Sequence, residues 1–107
     1  MPYWAALLLS LLILPAAAQA DTVDVIESNL LFNQTEITIH PGDHVRFVNN
    51  DGDQHNLHLQ DSDDEDSDND LGFQAPGQIV NIAFPTRGNF LVRCHLHPGM
   101  KLTVRVR

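Results

Sequence analysis

Apolar and polar residues alternate along most of the chain after residue 20, with a period of two instead of the 3.6 of a helix. Turn-forming residues such as Pro41-Gly42-Asp43 and Pro98-Gly99 separate the alternating stretches. The pattern favours an all-β fold, a Greek-key antiparallel β-sandwich. The predicted strands are Thr22–Ile26, Glu36–Ile39, His44–Val48, His55–Leu59, Gln78–Phe84, Asn89–Arg93 and Lys101–Val106.

The first 20 residues differ from the rest of the chain. An apolar run over 3–14 is followed by Pro15 and by small residues that end at Ala20. This arrangement predicts a secretory signal peptide over 1–20, cleaved after Ala20, although no Lys or Arg precedes the apolar run. The run is shorter than the roughly 20 residues that span a bilayer. We therefore expect a single domain over 21–107, periplasmic or secreted, without a membrane span in its mature form.

The segment 61–70 interrupts the alternation. It carries seven of the 14 acidic residues and no apolar side chain, and it accounts for most of the net charge of −8. Such a segment cannot bury surface, so we predict a disordered acidic loop inserted between two strands. Two roles stay open: steering of a basic redox partner by long-range attraction, and solubility alone. Nothing in this charge points to nucleic acid.

The candidate chemistry lies near the C-terminal end. Cys94 is the only cysteine, and Met100 is the only methionine outside the leader. A single Cys cannot form an internal disulfide in an exported domain, but a bound metal would protect it. Thiolate, imidazole and thioether at the spacing Cys94-x-x-His97-x-x-Met100 suit copper. Taken singly, the Cys and the Met would be ordinary core residues.

A trigonal site with one cysteine needs a second histidine from elsewhere in the fold. His55 is the best candidate, because it follows the turn over 49–53 and begins a predicted strand. His40 and His44 flank another turn and are not expected to be ligands. His58 is also excluded, because strand alternation points it to the face opposite to His55.

Three groups of residues together resemble the cupredoxins, in particular the plastocyanin, amicyanin and pseudoazurin group. They are the stretch Ile39–Asn49 with its Pro-Gly-Asp turn, the pair His55-Asn56, and Cys94-x-x-His97-x-x-Met100. The resemblance covers nearly all of 21–107 apart from the acidic loop. It implies a blue, type 1 site for one copper ion, with His55, Cys94 and His97 as strong ligands and Met100 as the axial one.

The same resemblance implies further roles. Asn56 would brace the site, and the exposed edge of His97 would pass single electrons to a redox protein partner. In multicopper oxidases the histidine after the type 1 cysteine faces a second copper centre, and His95 occupies that position here. The other histidines of that larger motif are missing, so we expect His95 to be a surface residue, with a role in partner contact or copper uptake left open.

These observations lead to one main hypothesis and one alternative. The main hypothesis is electron transport between redox partners outside the cytoplasm, without enzymatic activity. The alternative is a periplasmic copper-binding carrier or chaperone, which draws on His58, His95 and the acidic loop. A catalytic copper centre would need an open ligand position, and Met100 argues against one.

Overall fold

Nine β-strands make up the regular structure of the residues described by the computed structural model, which are Ser10, Leu12 and 19–107. The predicted leader therefore lies almost entirely outside the described residues. The strands are β1 (Thr22–Ser28), β2 (Leu31–Phe32), β3 (Glu36–Ile39), β4 (Asp43–Asn49), β5 (His55–Asp61), β6 (Asn69–Gln74), β7 (Ile79–Phe84), β8 (Gly88–Cys94) and β9 (Lys101–Val106). In this part of the chain no helix is long and apolar enough to cross a membrane.

The strands form two sheets. One has the order β2-β1-β4-β7 and the other the order β3-β9-β8-β5-β6. The predicted all-β sandwich is confirmed, but two of its strand pairs, β1–β4 and β3–β9, are parallel. The physical reason is a crossover: between β1 and β4 the chain leaves the first sheet, forms β3 in the second, and returns, and such a connection permits parallel neighbours.

Two strands were missed by the sequence patterns. Strand β2 has only two residues, too few for alternation to be visible. Strand β6 begins inside the acidic segment, at Asn69, and most of its side chains are exposed. An edge strand bonds to its neighbour through the main chain, so it can form without an apolar face. The loop proper is therefore shorter than predicted and runs over 62–68.

Hydrogen bonds form turns within this loop. The Ser67 hydroxyl accepts the Asp61 N–H at 2.8 Å and donates to the Asp64 carbonyl at 2.8 Å. The Asp63 and Asp66 N–H groups are bonded to the side chains of Asp61 and Asp64. The disorder of the loop stays a prediction.

The core lies between the facing sides of the two sheets. Strand β4 illustrates the alternation that builds it, with buried Val45 and Phe47 flanking exposed Arg46. The buried apolar residues are Val25, Phe32, Ile37, Ile39, Val45, Phe47, Leu57, Ile82, Phe84, Val92, Cys94, Met100, Leu102, Val104 and Val106. Two of the residues quoted for copper, Cys94 and Met100, thus belong to the core.

The Pro-Gly-Asp turn leads from β3 into β4, and hydrogen bonds connect it to the residue before β1. Its Asp43 carboxylate accepts the His40 N–H at 2.8 Å and the Asp21 N–H at 2.9 Å. These backbone bonds hold the pKa of Asp43 below its usual range. Gly42 supplies the positive φ of 91° that the turn requires. The motif therefore aligns β1 with β4.

Candidate metal centre

One end of strand β8 and the loop that follows it supply most of the candidate site. Cys94 is the last residue of β8, and β9 begins at Lys101. The Cys94 N–H donates to the Met100 carbonyl at 3.2 Å, and the Met100 N–H donates to the His97 carbonyl at 3.0 Å. These bonds close the loop, so its side chains are held by two strands of one sheet.

Three predicted residues meet in what we call the inner cluster: His55, Cys94 and His97. The two Nδ1 atoms are 3.0 Å apart. Cys94 Sγ lies 3.8 Å from His55 Nδ1 and 3.6 Å from His97 Nδ1. His55 and Cys94 are buried, whereas His97 is half-buried. Met100, at the end of the same loop, is fully buried.

A carboxylate fixes the orientation of His55. His55 Nε2 donates to Asp51 Oδ2 at 2.9 Å, and the same oxygen accepts the Leu30 N–H at 3.3 Å. Because an ionised carboxylate only accepts, the proton of neutral His55 is on Nε2 and the Nδ1 lone pair faces Cys94. No sequence pattern indicated a role for Asp51. Its only signal was that it is an acidic residue 4 positions before the candidate ligand His55.

The loop that carries Asp51 and His55 is organised by buried Asn49. Its Nδ2 donates to the carbonyls of Asp53 and Gln74, at 2.9 and 3.2 Å. Its Oδ1 accepts the Asp51 N–H at 2.9 Å. Because the Asn49 amide is hydrogen-bonded at both ends, its orientation is fixed, and it holds the backbone of Asp51 in position to bond His55.

Asn56 contacts both the inner cluster and the outside of the sheet. Its N–H donates to Cys94 Sγ at 3.4 Å, and its carbonyl accepts the His95 N–H at 3.0 Å. Its side-chain Nδ2 donates to Asp70 Oδ1 at 2.8 Å and to the Gly72 carbonyl at 2.9 Å. The bonds from Asn56 and Gly72 hold the pKa of the Asp70 carboxyl below its usual range.

The donor set of the inner cluster fits copper. A thiolate and two imidazoles at the corners of a triangle are the equatorial set of a blue copper centre, and a thioether is its usual axial group. The His55 lone pair already faces the thiol, and an N–H from Asn56 is directed at the sulfur. Hydrogen bonds to ligands and to the sulfur are the features that orient and adjust such a metal.

Comparison with known proteins gives the family. The family model for copper binding proteins of the plastocyanin/azurin family matches residues 19–107. The chain belongs to this family. It is therefore a cupredoxin, whose cofactor is one type 1 copper ion and whose general role is copper-dependent electron transfer.

Solved structures show the same fold. Amicyanin from Paracoccus versutus is 26% identical and matches with a TM-score of 0.72, over 86% of this chain and 87% of its own. A Cu(I) form of a mutant amicyanin is 20% identical, with a TM-score of 0.72 over 80% of this chain and 82% of its own. A copper-containing nitrite reductase from Thermus scotoductus SA-01 is 24% identical, with a TM-score of 0.69, but the match spans only 22% of that chain.

The remaining histidines of this cupredoxin lie away from the inner cluster. The His40 side chain is 81% exposed beside Asp43, and His44 Nδ1 is 3.0 Å from the side chain of Asn81. His58 lies against His95 on the other side of the sheet, with ring centroids 3.3 Å apart. His95 is exposed, whereas His58 is buried.

Proposed function

We propose that the protein carries single electrons between redox proteins outside the cytoplasm, with His55, Cys94 and His97 as the strong copper ligands and Met100 as the axial ligand. The observation that carries this proposal is the convergence of the three donor atoms, 3.0 to 3.8 Å apart, at one end of the sandwich. Bound copper would supply the Cu(II)/Cu(I) couple.

The surrounding residues keep the donors in place through the redox cycle. Asp51 holds the tautomer and orientation of the His55 ring, and the Asn56 N–H offsets negative charge on the Cys94 sulfur. Closure of the loop by the bond between Cys94 and Met100 restricts the remaining donors. A site that moves little between oxidation states has a small reorganisation barrier, which favours fast electron transfer.

The proposed exit is the half-buried edge of His97. Around it lie exposed apolar side chains: Leu96 is 48% exposed and Leu31 is 52% exposed. A Cβ placed on Gly99 would lie 3.7 Å from Leu31 Cδ2, so β2 and the loop after β8 form one surface. A small apolar surface suits the brief contacts of redox partners. The acidic loop would steer a basic partner towards the protein.

The test is a visible absorption titration of the purified protein with Cu(II), followed by reduction with ascorbate. We expect an intense thiolate-to-copper band that saturates at one equivalent and disappears reversibly on reduction. Weak absorption alone, or rapid oxidation of Cys94, would contradict the proposal. His97→Ala should abolish the blue colour, whereas His40→Ala, a change at an exposed histidine outside the cluster, should leave it intact.

We also propose that residues 1–20 are a signal peptide and that 21–107 is the mature domain. The support is the apolar run that ends in small residues before Asp21. The intact mass of the protein from an extracytoplasmic fraction tests this. A chain that begins at Asp21 is expected, and a mass that retains the leader would contradict it.

An electron carrier is favoured over an enzyme because Met100 would fill the axial position and leave no open ligand position. The nitrite reductase match covers a small part of that protein, so its activity is not transferred to this chain. The alternative of a copper carrier or chaperone is favoured by one observation, the second group of potential ligands formed by His58, Asp68 and His95. Retention of copper through repeated redox cycles would support the electron carrier, and surrender of copper to an acceptor would support the chaperone.

A further inference from the structure

A second group of potential metal ligands lies on the outer side of the sheet, and we call it the outer cluster: His58, Asp68 and His95. One ligand atom from each residue lies within 4.8 Å of the others. His58 Nδ1 is 2.8 Å from Asp68 Oδ1. None of these residues belongs to the inner cluster or is among the proposed type 1 copper ligands.

The strand register places these residues together. His58 of β5 is opposite Arg93 of β8, and His95 follows two residues later on the same side. Strand β6 pairs on the other side of β5, with Asp70 opposite His58, and Asp68 precedes the start of β6. The two histidines therefore come from neighbouring strands, His58 from the middle of β5 and His95 from just beyond the end of β8, and the carboxylate comes from the acidic loop.

Hydrogen bonds around Asn56 determine where His58 carries its proton. The Asn56 Nδ2 group donates to the Gly72 carbonyl, which can only accept, so Asn56 Oδ1 must be the atom that faces His58. His58 Nε2 is 2.9 Å from that oxygen and therefore donates to it. In neutral His58 the lone pair is then on Nδ1.

This lone pair faces the carboxylate of Asp68. Two acceptors 2.8 Å apart repel each other unless a positive charge lies between or beside them. A second proton on His58 would provide that charge, and so would a metal ion. Two ligand atoms that bind one ion at about 2.0–2.2 Å are about 2.9 Å apart at the right angle of tetragonal Cu(II), close to this separation, and about 3.4 Å apart at the tetrahedral angle of Zn(II).

We propose that the outer cluster binds a second divalent ion, Cu(II) or Zn(II), through His58 Nδ1, a carboxylate oxygen of Asp68 and an imidazole nitrogen of His95. Imidazole and carboxylate suit divalent ions of this borderline class, and without a thiolate the set does not favour Cu(I). The Nε2–H bond from His58 to Asn56 is the outer hydrogen bond that metal-binding histidines commonly make.

Binding requires one side chain to move. The His58 and His95 rings are stacked at an interplanar angle of 6°, and parallel rings cannot direct lone pairs at one point. His95 is exposed and can turn, whereas His58 is held by Asn56. Arg93 brings one positive charge to this strand pair, against Asp68, Asp70 and the other carboxylates of the acidic loop.

The experiment uses the full protein with copper already bound, titrated with Zn(II) against a chromophoric chelator. We expect one Zn(II) per chain, with no loss of the blue band. Asp68→Asn and His95→Ala should each weaken Zn(II) binding by about tenfold or more. The matched controls are Asp66→Asn, in the same loop, and His40→Ala, an exposed histidine elsewhere, and each should change the affinity by less than about threefold.

Three results would overturn the proposal. The first is the absence of a Zn(II) equivalent at micromolar concentrations. The second is equal weakening by Asp66→Asn and Asp68→Asn, which would indicate diffuse attraction to the acidic loop. The third is a nitrogen NMR spectrum in which His58 Nδ1 carries a proton at saturating Zn(II). The readouts do not depend on electron transfer, so failure here leaves the proposed function unaffected.

Discussion

The inner and outer clusters are built by the same two strands and yet differ in almost every property. His55 and Cys94 are buried on one side of the sheet, and His58 and His95 lie on the other. The inner cluster contains a sulfur donor and the outer one a carboxylate. Because successive residues of a strand face opposite sides, residues an odd number of positions apart, such as Cys94 and His95 or His55 and His58, contribute to different clusters.

The clusters also differ in how firmly their donors are held. The inner donors are fixed by main-chain bonds and by Asp51, so little movement accompanies a change of charge. The outer cluster has one fixed histidine, and its other two side chains are exposed. A rigid set suits repeated electron transfer, whereas an adaptable set suits ions that come and go. Asn56, bonded to both, is the structural link between them.

The largest expected effect comes from Cys94→Ser, which separates the two clusters completely. Cys94→Ser should abolish the charge-transfer band, because that band arises from the Cys thiolate bound to Cu(II), and a serine hydroxyl provides no thiolate. Zn(II) binding by the outer cluster should stay within about threefold of the original, since no outer donor changes. Absorption and chelator competition measure the two effects. Loss of both sites in a folded variant would show that the clusters are not independent.

The next effect concerns two carboxyl groups whose pKa values are shifted in opposite directions, Glu27 near Asp51, and Asp70 beside the outer cluster. Burial raises the pKa of Glu27 to about 7 from 4.5, and nearby Asp51 adds to the shift. Within the part of the chain that the structure describes, neither carboxyl oxygen of Glu27 has a hydrogen bond of ordinary geometry, although the neighbouring Gln74 side chain offsets part of the rise in pKa. Asp70, beside the outer cluster, has a lowered pKa.

The stability of the folded protein should fall as the pH rises past the pKa of Glu27. Protonated Glu27 is the form favoured by the fold, so its contribution to stability is full below pH 4.5 and is lost as the pH rises through about 7. Each pKa unit corresponds to about 1.4 kcal/mol, so the loss is of the order of a few kcal/mol. Glu27→Gln should remove this dependence and stabilise the protein at pH 8, as measured by denaturant unfolding. Glu36→Gln, at an exposed residue, is the control, and an unchanged pH profile in Glu27→Gln would contradict the assignment.

A smaller effect is expected from Asp51→Asn, which affects the inner cluster alone. The amide cannot accept as strongly from His55 Nε2, so copper affinity should fall by about 10- to 100-fold while the blue band persists. Asp53→Asn, two residues away and exposed, should leave the affinity unchanged. Competition with a copper chelator measures both, and equal affinities of the Asp51 and Asp53 variants would refute a role for this carboxylate.

The smallest expected effect is from Asn56→Ser, which should reach both clusters. The variant keeps the main-chain N–H directed at Cys94 but loses the side-chain bonds to Asp70, Gly72 and His58. We expect outer Zn(II) affinity to fall by about tenfold and the copper reduction potential to shift, with the blue band retained. Asn50→Ser, at an exposed position, is the control. A change confined to one cluster would show that Asn56 does not link them.

The fold was accessible from the sequence where side chains alternate between core and solvent. Strands β3, β7 and β9 have bounds within a residue of those predicted, because each has a buried side that the pattern records. Strands β2 and β6 are edge strands that depend on main-chain bonds, so their side chains show no pattern that predicts a strand. The parallel pairs were also inaccessible, since strand direction depends on the crossover of the whole chain.

The candidate site was accessible to a similar degree. Cys94, His97 and Met100 share one loop, so their spacing alone indicated a metal, and His55 was found from its place at a strand end. The role of Asp51 was not predicted, because acidic residues are common in turns. His58, His95 and the acidic loop were named from the sequence only as separate features of a copper carrier, because they come together through the register of three strands, which local sequence does not encode.

The parallel pairing of β3 with β9 has a kinetic consequence. Glu36 is opposite Thr103, so among the described strands the early strand β3 pairs only with β9, near the far end of the chain. Contacts between such distant residues form slowly, because the intervening chain must be ordered first. A growing polypeptide therefore cannot complete this sheet until its last strand has emerged, just after the loop with Cys94 and His97. Under the proposed export of the chain, this delay would leave the sheet open during transport, and copper would be bound only after the last strand has formed.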